Sequence, residues 1–497
     1  MTASSPTAIG PGPERSATQS GGPAARGTPV SDGAWRAPET ADEVLARVAE
    51  GGIETVRILF VDPHGILRGK TVVAAALDSA FRTGLGVPST LLLKDTAQRT
   101  VFPVWSEDPG LAGPLQGAGD VILHPDPATF KTLPWSPHSA WILSDVHFRD
   151  GTPVPFSSVQ VLRRALAGLE ARGWTAKMGL EVEFHVFARV DDALDHPRTT
   201  MPGAPVRTRA LTQGYQYLSE TRYGEAEELL DLLRRSAQAM GMPVRSVEIE
   251  MGPSQFEITF DPAGPLEQAA TMVMFRTMVK EVCARRGLHA SFMAKPQLEN
   301  IAANGWHIHQ SVSDAAGRNL FMPDKDAVLS PAASGWIAGL LQHAAAASLL
   351  VAPTVNSYKR YQPFQLAPNR IAWGADNRGA MLRALTAPGD AASRVENRAA
   401  DSSANPYFAF AAQLAAGMDG VTRGLVAPPA TTSPYDTSAA ALPTSLGAAL
   451  AAFEGADLFR DLFGEFPAYL ARLKRAEWDR YLATVSDWEQ AEYFNLL

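Results

Sequence analysis

The chain has 497 residues, with 44 Lys and Arg against 52 Asp and Glu, and a single cysteine. That length exceeds one small domain and predicts two or three, or one large domain with an appendage. At 46% hydrophobic residues global disorder is excluded, a net charge of −8 argues against nucleic acid as a partner, and the lone Cys283 excludes a disulfide framework or a cysteine metal cage.

In chain order, the first 36 residues are rich in Ala, Pro, Gly, Ser and Thr, lack the apolar run of a signal peptide, and read as a disordered tail over 1–37. A short helix is predicted over Ala41–Glu50. Thr55–Val61 is β-branched and alternating, Asp62-Pro63-His64-Gly65 is a turn, and residues 70–73 continue as a strand, so this stretch reads as a hairpin. Residues 100–140 hold many Pro, Gly and Trp and read as loop. Residues 140–146 read as a strand. From Ser157 the character changes to an amphipathic helix over 158–172 and a strand over 176–187. The boundary is therefore placed near 148–155, between an N-terminal domain of 38–150 and a larger one of 151–497. Further helices are predicted over 224–240, 266–286 and 332–350. A Pro/Ser/Thr loop follows Pro428, then helices from about Leu446 to Tyr493. Residues 332–352 are long enough to cross a membrane. They are mostly Ala and carry Ser334, Gln342, His343 and Ser348, so a buried core helix in a soluble, cytoplasmic protein is expected instead.

Three places set acidic residues or histidine at strand spacing. In Gly179-Leu180-Glu181-Val182-Glu183-Phe184 the two glutamates share one face and the apolar residues the other. Side-by-side carboxylates repel unless a cation lies between them; the alternative is a solvated strand face. Glu248-Ile249-Glu250 is a second such pair, followed by a turn and Glu257. Trp306-His307-Ile308-His309-Gln310-Ser311 is the third, and Glu396 stands between Arg394 and Arg398. Five glutamates and a histidine without cysteine suit hard cations such as Mg or Mn. Lys359, Arg360, Arg378, Arg383, Arg394 and Arg398 lie within forty residues, the donors expected where carboxylate or phosphate is gripped. Metals with arginines suit phosphoryl transfer, and no common nucleotide-binding loop motif is present.

This ordered series, continued by Asn356-Ser357-Tyr358-Lys359-Arg360, Asn377-Arg378 and Asn405-Pro406-Tyr407, resembles the glutamine synthetase superfamily from about Thr55 to the C-terminus. The resemblance implies an α+β protein with a small β-grasp-like N-terminal domain. Its large catalytic domain would be built on a curved antiparallel sheet. It implies ATP and two or three Mg or Mn ions. Glu183, Glu250 and Glu257 match the ligands of one metal; Glu181, His307 and Glu396 match those of the metal at the ATP phosphates. Arg360 and Arg398 match residues that hold glutamate, and Gly305 a loop residue beside its α-amino group. Arg378 and Arg383 match phosphate and transition-state contacts. His309, Ser311 and Arg394 match the nucleotide side. Asp62 matches an aspartate lent to a neighbouring subunit's amine site. Stacked hexameric rings, a dodecamer with shared sites, are implied as well.

The chemistry implied has two steps: ATP phosphorylates the γ-carboxylate of glutamate, then an amine displaces phosphate. The chain departs from true glutamine synthetases at Leu366, which stands where a flap glutamate takes a proton from ammonium. Leucine neither binds ammonium nor acts as a base, and Phe364 is close by in sequence. The expected enzyme is therefore a γ-glutamyl–amine ligase of the anilide type. A polyamine, ethanolamine, an alkylamine or ammonia is the alternative acceptor, and an inactive structural relative a further one. The predicted partners are small molecules, with no nucleic acid and no membrane.

Overall fold

Residues 39–105, 111, 114–191, 195–363, 366–435 and 438–497 are described by a computed structural model. The expected tail and Phe364 lie outside the described residues. α1 (Ala41–Glu50) begins in a capping box, in which Thr40 and Glu43 satisfy each other's backbone N–H, and it buries Val44 and Val48. β1 (Thr55–Val61) and β2 (Leu67–Val73) form the expected hairpin, with Val61 opposite Leu67. α2 (Leu77–Thr83), β3 (Leu85–Pro88), β4 (Asp120–Pro125), β5 (Lys131–Thr132) and β6 (Ser139–His147) follow. The sheet order is β2-β1-β6-β4-β3, with β5 also on β6 and β1 parallel to β6. Residues 100–140 are thus not all loop. β4 alternates half-buried and buried positions over only six residues, too short a run to stand out among its prolines and glycines.

α3 (Ser158–Glu170) leads into β7 (Thr175–Arg189), the long centre of a nine-stranded sheet. Its other members are β8 (Thr208–Arg209), β9 (Val244–Ile249), β10 (Gln255–Ala263), β11 (Leu288–Ser291), β12 (Trp306–Ser313), β13 (Trp373–Ala375), β14 (Leu382–Leu385) and β15 (Arg394–Asn397). The order is β13-β14-β15-β12-β7-β10-β9, with β8 and β11 pairing the far half of β7. All pairings are antiparallel except β13 with β14. Between strands run α4 (Glu220–Ala239) and α5 (Pro265–Ala284). α5 is apolar on nearly every side because it packs on β7, β10 and β11 and also reaches β2.

The helix expected over 332–350 is two helices, α6 (Pro331–Gln342) and α7 (Ala344–Val351), bent by 78°. The break falls at His343, whose side chain bonds Asp419 at 2.8 Å on α8 (Pro406–Thr422). Both pieces are largely buried, and among the described residues no single helix is long and apolar enough to cross a membrane. The chain ends in α9 (Leu446–Glu454), α10 (Asp457–Phe463), α11 (Phe466–Leu482) and α12 (Asp487–Tyr493).

Two buried polar residues join the hairpin to the larger sheet. The Arg276 guanidinium on α5 donates to the carbonyls of Gly65, Ser402 and Ala404. Asn405 caps α8 through the Tyr407 N–H and donates to Asp62 O and Ser158 Oγ. The apolar core is continuous across both sheets.

Candidate active site

Strand pairing assembles residues that are far apart in sequence. On β7, Leu180, Val182 and Phe184 are buried, while Glu181 and Glu183 face the other way. Across β10, Glu257 stands opposite Glu183 and Thr259 opposite Glu181. Across β12, His307 stands opposite Glu181 and His309 opposite Gly179. Glu396 on β15 faces His309, and Arg383 on β14 faces Glu396. Gly179 matters by what it lacks: a Cβ there would lie 3.2 Å from that of His309. Glu250 enters from the turn after β9.

Three overlapping groups have ligand atoms within 4.8 Å of one another: Glu183, Glu250 and Glu257; Glu181, Glu257 and His307; and Glu181, His309 and Glu396. Glu248, opposite Glu257 on β9, is bonded by Ser246 instead.

The two sides of this face differ electrically. Burial opposes charge on Glu181, but hydrogen bonds from His307 (3.0 Å) and His309 (2.8 Å) outweigh it and hold the carboxyl well below its usual range. Burial likewise opposes charge on Glu396, and His307, Arg398 and His309 overcome it. At Glu250 and Glu257 burial and the neighbouring carboxylates prevail. Burial first, and then the Glu183 charge, push Glu250 up to about 8 and Glu257 well above the carboxylate range. Two unit charges about 4 Å apart repel by roughly 4 kcal/mol at an effective dielectric of about 20. Three buried carboxylates therefore ionise together only around a cation. Oxygen donors held this closely fit a hard divalent one.

Other side chains orient this set. The Gly305 N–H donates to Glu183 Oε2 at 2.7 Å, and Gln255 Nε2 donates to the same oxygen at 3.2 Å. Gln255 also donates to Asn304, which is buried and fixed to Met293 O. Ser402 donates to the carbonyls of Glu183 and Gly305. A Cβ at Gly305 would sit 2.9 Å from Glu183 Oε1 and 3.1 Å from both Arg360 and His307, so only glycine leaves this junction open. His307 turns Nδ1 to Glu181 and Nε2 toward Glu183 Oε1, 3.7 Å away.

The arginines divide by partner. Arg383 joins Asp376 to Glu396, and Arg398 bonds Glu396. Arg360 bonds Ala399 O. The Nε–H groups of Arg360 and Arg398 are buried with no hydrogen-bond partner among the described residues. Arg394 donates to His309 Nδ1 at 3.1 Å, which leaves Nε2 to carry the ring proton and donate to Glu181. His309, expected on the nucleotide side, thus lies between Arg394 and a carboxylate of the cluster. Ser311 follows on the same face of β12. Arg378 is exposed beside an open cavity of about 370 Å³ lined by Ala375–Arg378 and Ala430–Thr432.

Two expected residues sit apart from this group. The Asp62 carboxylate is fully buried; it accepts the N–H groups of His64 and Ile66 and bonds Arg68, and so anchors the hairpin turn. Leu366 is 55% exposed with φ +56°, on a loop. Gln255, Ser402 and Asp376 carried no signal of their own in the sequence. Tyr217 was also missed; it is half exposed with Glu250, Glu257, Glu248 and Arg378 as charged neighbours, and burial and Glu250 push its phenol up to about 12.

Comparison with known proteins matches this geometry. The glutamine synthetase catalytic-domain model matches residues 157–493. The chain is 37% identical over 481 residues to a γ-glutamylanilide synthase of Acinetobacter sp, across 92% of this chain and 96% of that one. It is 35% identical over 466 residues to γ-glutamylethanolamide synthetase GlnA4 of Streptomyces coelicolor, with the same coverage of 92% and 96%. A solved structure described as GmaS without ligand superposes with a TM-score of 0.76 at 30% identity, covering 91% of this chain and 99% of that one. With the family's catalytic domain over most of its length and relatives matched almost end to end, the chain belongs to the glutamine synthetase family and is an ATP-dependent glutamate–amine ligase.

Proposed function

We propose that the protein joins the γ-carboxylate of L-glutamate to an aromatic amine through γ-glutamyl phosphate. Glu183, Glu250 and Glu257 would hold one Mg or Mn ion, and Glu181, His307 and Glu396 a second. When bound, such ions neutralise phosphate charge. Arg360 and Arg398 would grip the glutamate carboxylate, and Gly305 leaves room beside them. Arg383, Arg378, Arg394 and Ser311 face the transferring phosphate and the nucleotide. His309 orients Glu181. A carboxylate is a poor electrophile; as acyl phosphate it accepts an amine and releases phosphate.

Leu366 carries the choice of amine. Leucine offers ammonium neither a charged partner nor a base. An arylamine is largely uncharged near neutral pH and needs no flap carboxylate. The 37% identity to a γ-glutamylanilide synthase supports the same reading, and the ethanolamide relative supports a small amino alcohol as the second. The proposal includes a homo-oligomer of stacked rings in the cytoplasm, with Asp62 on the hairpin turn lent to a neighbouring subunit's amine site. Phosphate release with glutamate, ATP and a panel of aniline, ethanolamine, methylamine, putrescine and ammonium tests the acceptor. Aniline should give the highest kcat/KM. Activity with putrescine but not aniline, or equal activity with ammonium, overturns the reading.

A further inference from the structure

A cavity of about 340 Å³ lies between the turn after β1, the helices α5, α7 and α11, and β11. It shares no residue with the carboxylate cluster. Arg276, Lys280 and Lys474 line it, with His64 and His289, and no Asp or Glu does.

The Arg276 guanidinium is buried, and its hydrogen bonds go to the carbonyls of Gly65, Ser402 and Ala404, which carry no countercharge. Asp62 and Asp401 favour its charge from beyond ion-pair distance; Asp62 is bonded to Arg68 and Asp401 to Ser403. Lys280 follows one turn later on α5. It is exposed and has neither a hydrogen bond nor an ion pair among the described residues. Lys474 is paired with Glu477 at 3.1 Å. Two cations on one helix face thus line a cavity without a counter-ion. A buried charge without a partner is costly, and arginine does not escape by losing its proton. An anion in the cavity relieves that cost.

Much of the remaining wall is apolar, formed by Phe292, Leu349, Leu350, Phe408 and Leu470. The volume falls within the range of small-molecule sites, about 300–1,000 Å³. An inorganic anion leaves those walls uncovered, whereas an anion with an apolar body covers them and sets its charge against α5.

We propose that this cavity is an effector site for a small organic carboxylate with an apolar body. The bound carboxylate competes with the Ser402 and Ala404 carbonyls for Arg276. Ser402 in turn holds the carbonyls of Glu183 and Gly305. Occupancy should therefore raise the KM for glutamate, about fivefold.

Calorimetric titration of the full-length enzyme with benzoate, benzamide and inorganic phosphate tests the site, with the KM for glutamate measured at each benzoate concentration using the amine that gives the highest rate. Benzoate should bind, and benzamide and phosphate should bind at least about tenfold more weakly. Lys280→Glu should weaken benzoate binding at least about tenfold, and the rise in KM with it; Lys280→Arg should keep both. No benzoate binding, or benzamide binding as tightly, overturns the proposal, and equal affinity for phosphate overturns the apolar body. A Lys280→Glu enzyme that still binds benzoate normally puts the carboxylate elsewhere, the glutamate pocket included, and also overturns it. Binding without any change in KM removes the effector role.

Discussion

At Glu257 burial and the neighbouring glutamates all oppose the charge a metal ligand must carry, and Glu250 shares most of that setting. A carboxyl with a raised folded-state pKa binds more protons than the unfolded chain does between its ordinary range and that raised value. Stability of the metal-free protein therefore falls as pH rises from about 4.5 to about 8. Melting in chelator across that window should show the Tm declining, and added Mn should flatten the curve; a flat curve in chelator would contradict the charge assignment. Glu257→Ala should lower kcat/KM at least roughly 100-fold and weaken Mn binding in a titration; full activity would sink the two-metal assignment. At the amine side, Leu366 occupies left-handed backbone at a cost of about 1 kcal/mol, with its side chain half in solvent. Leu366→Glu should raise kcat/KM for ammonium relative to aniline roughly tenfold, read by phosphate release. An unchanged ratio would remove this position from the choice of amine.

Helices α6 and α8 meet through glycines rather than large side chains. A Cβ at Gly420 would lie 2.0 Å from Gly335 O and 2.6 Å from Gly339 N, so the backbones themselves touch. Gly420→Ala should cost about 3 kcal/mol through forced separation, seen as a lower Tm. Gly168→Ala on α3, where a Cβ meets nothing within 4 Å, should instead stabilise by about 1 kcal/mol. This close contact explains the Ala- and Gly-rich composition that made 332–352 look like a membrane span. The break at His343 was not legible because its partner, Asp419, lies 76 residues away. β1 and β7 were legible because they alternate over seven residues or more, and β6 because of its apolar run over 140–143. β4 and β5 were not, being short and defined by their pairing with β6. The same division holds in the site. The glutamates and histidines announce themselves by i, i+2 spacing on strands. Gln255 and Ser402 reach Glu183 across 72 and 219 residues, and no local pattern records that.

Across the whole molecule, the two sheets share one core and one buried cation. Arg276, its pKa lowered to about 10 by burial, satisfies three carbonyls, from Gly65 in the hairpin and from Ser402 and Ala404 beside the site. Arg276→Met would leave those acceptors unpaired at a cost of about 3 kcal/mol. Because Ser402 holds the backbone of Glu183 and Gly305, the same change should raise the KM for glutamate. Calorimetry of the wild-type chain should show a single transition; separate melting of the hairpin sheet would show that the shared core does not couple the two. Glu181, Glu183, Glu257, His307, His309 and Glu396 sit on paired strands, where a one-residue slip would turn them into the core. Leu366 and Tyr217 sit on loops that tolerate substitution and changes of length. If Leu366 chooses the amine as proposed, selection can exchange one amine for another by editing its loop while the paired strands stay fixed. The relatives named for an anilide and an ethanolamide are in keeping with one scaffold serving several nitrogen sources.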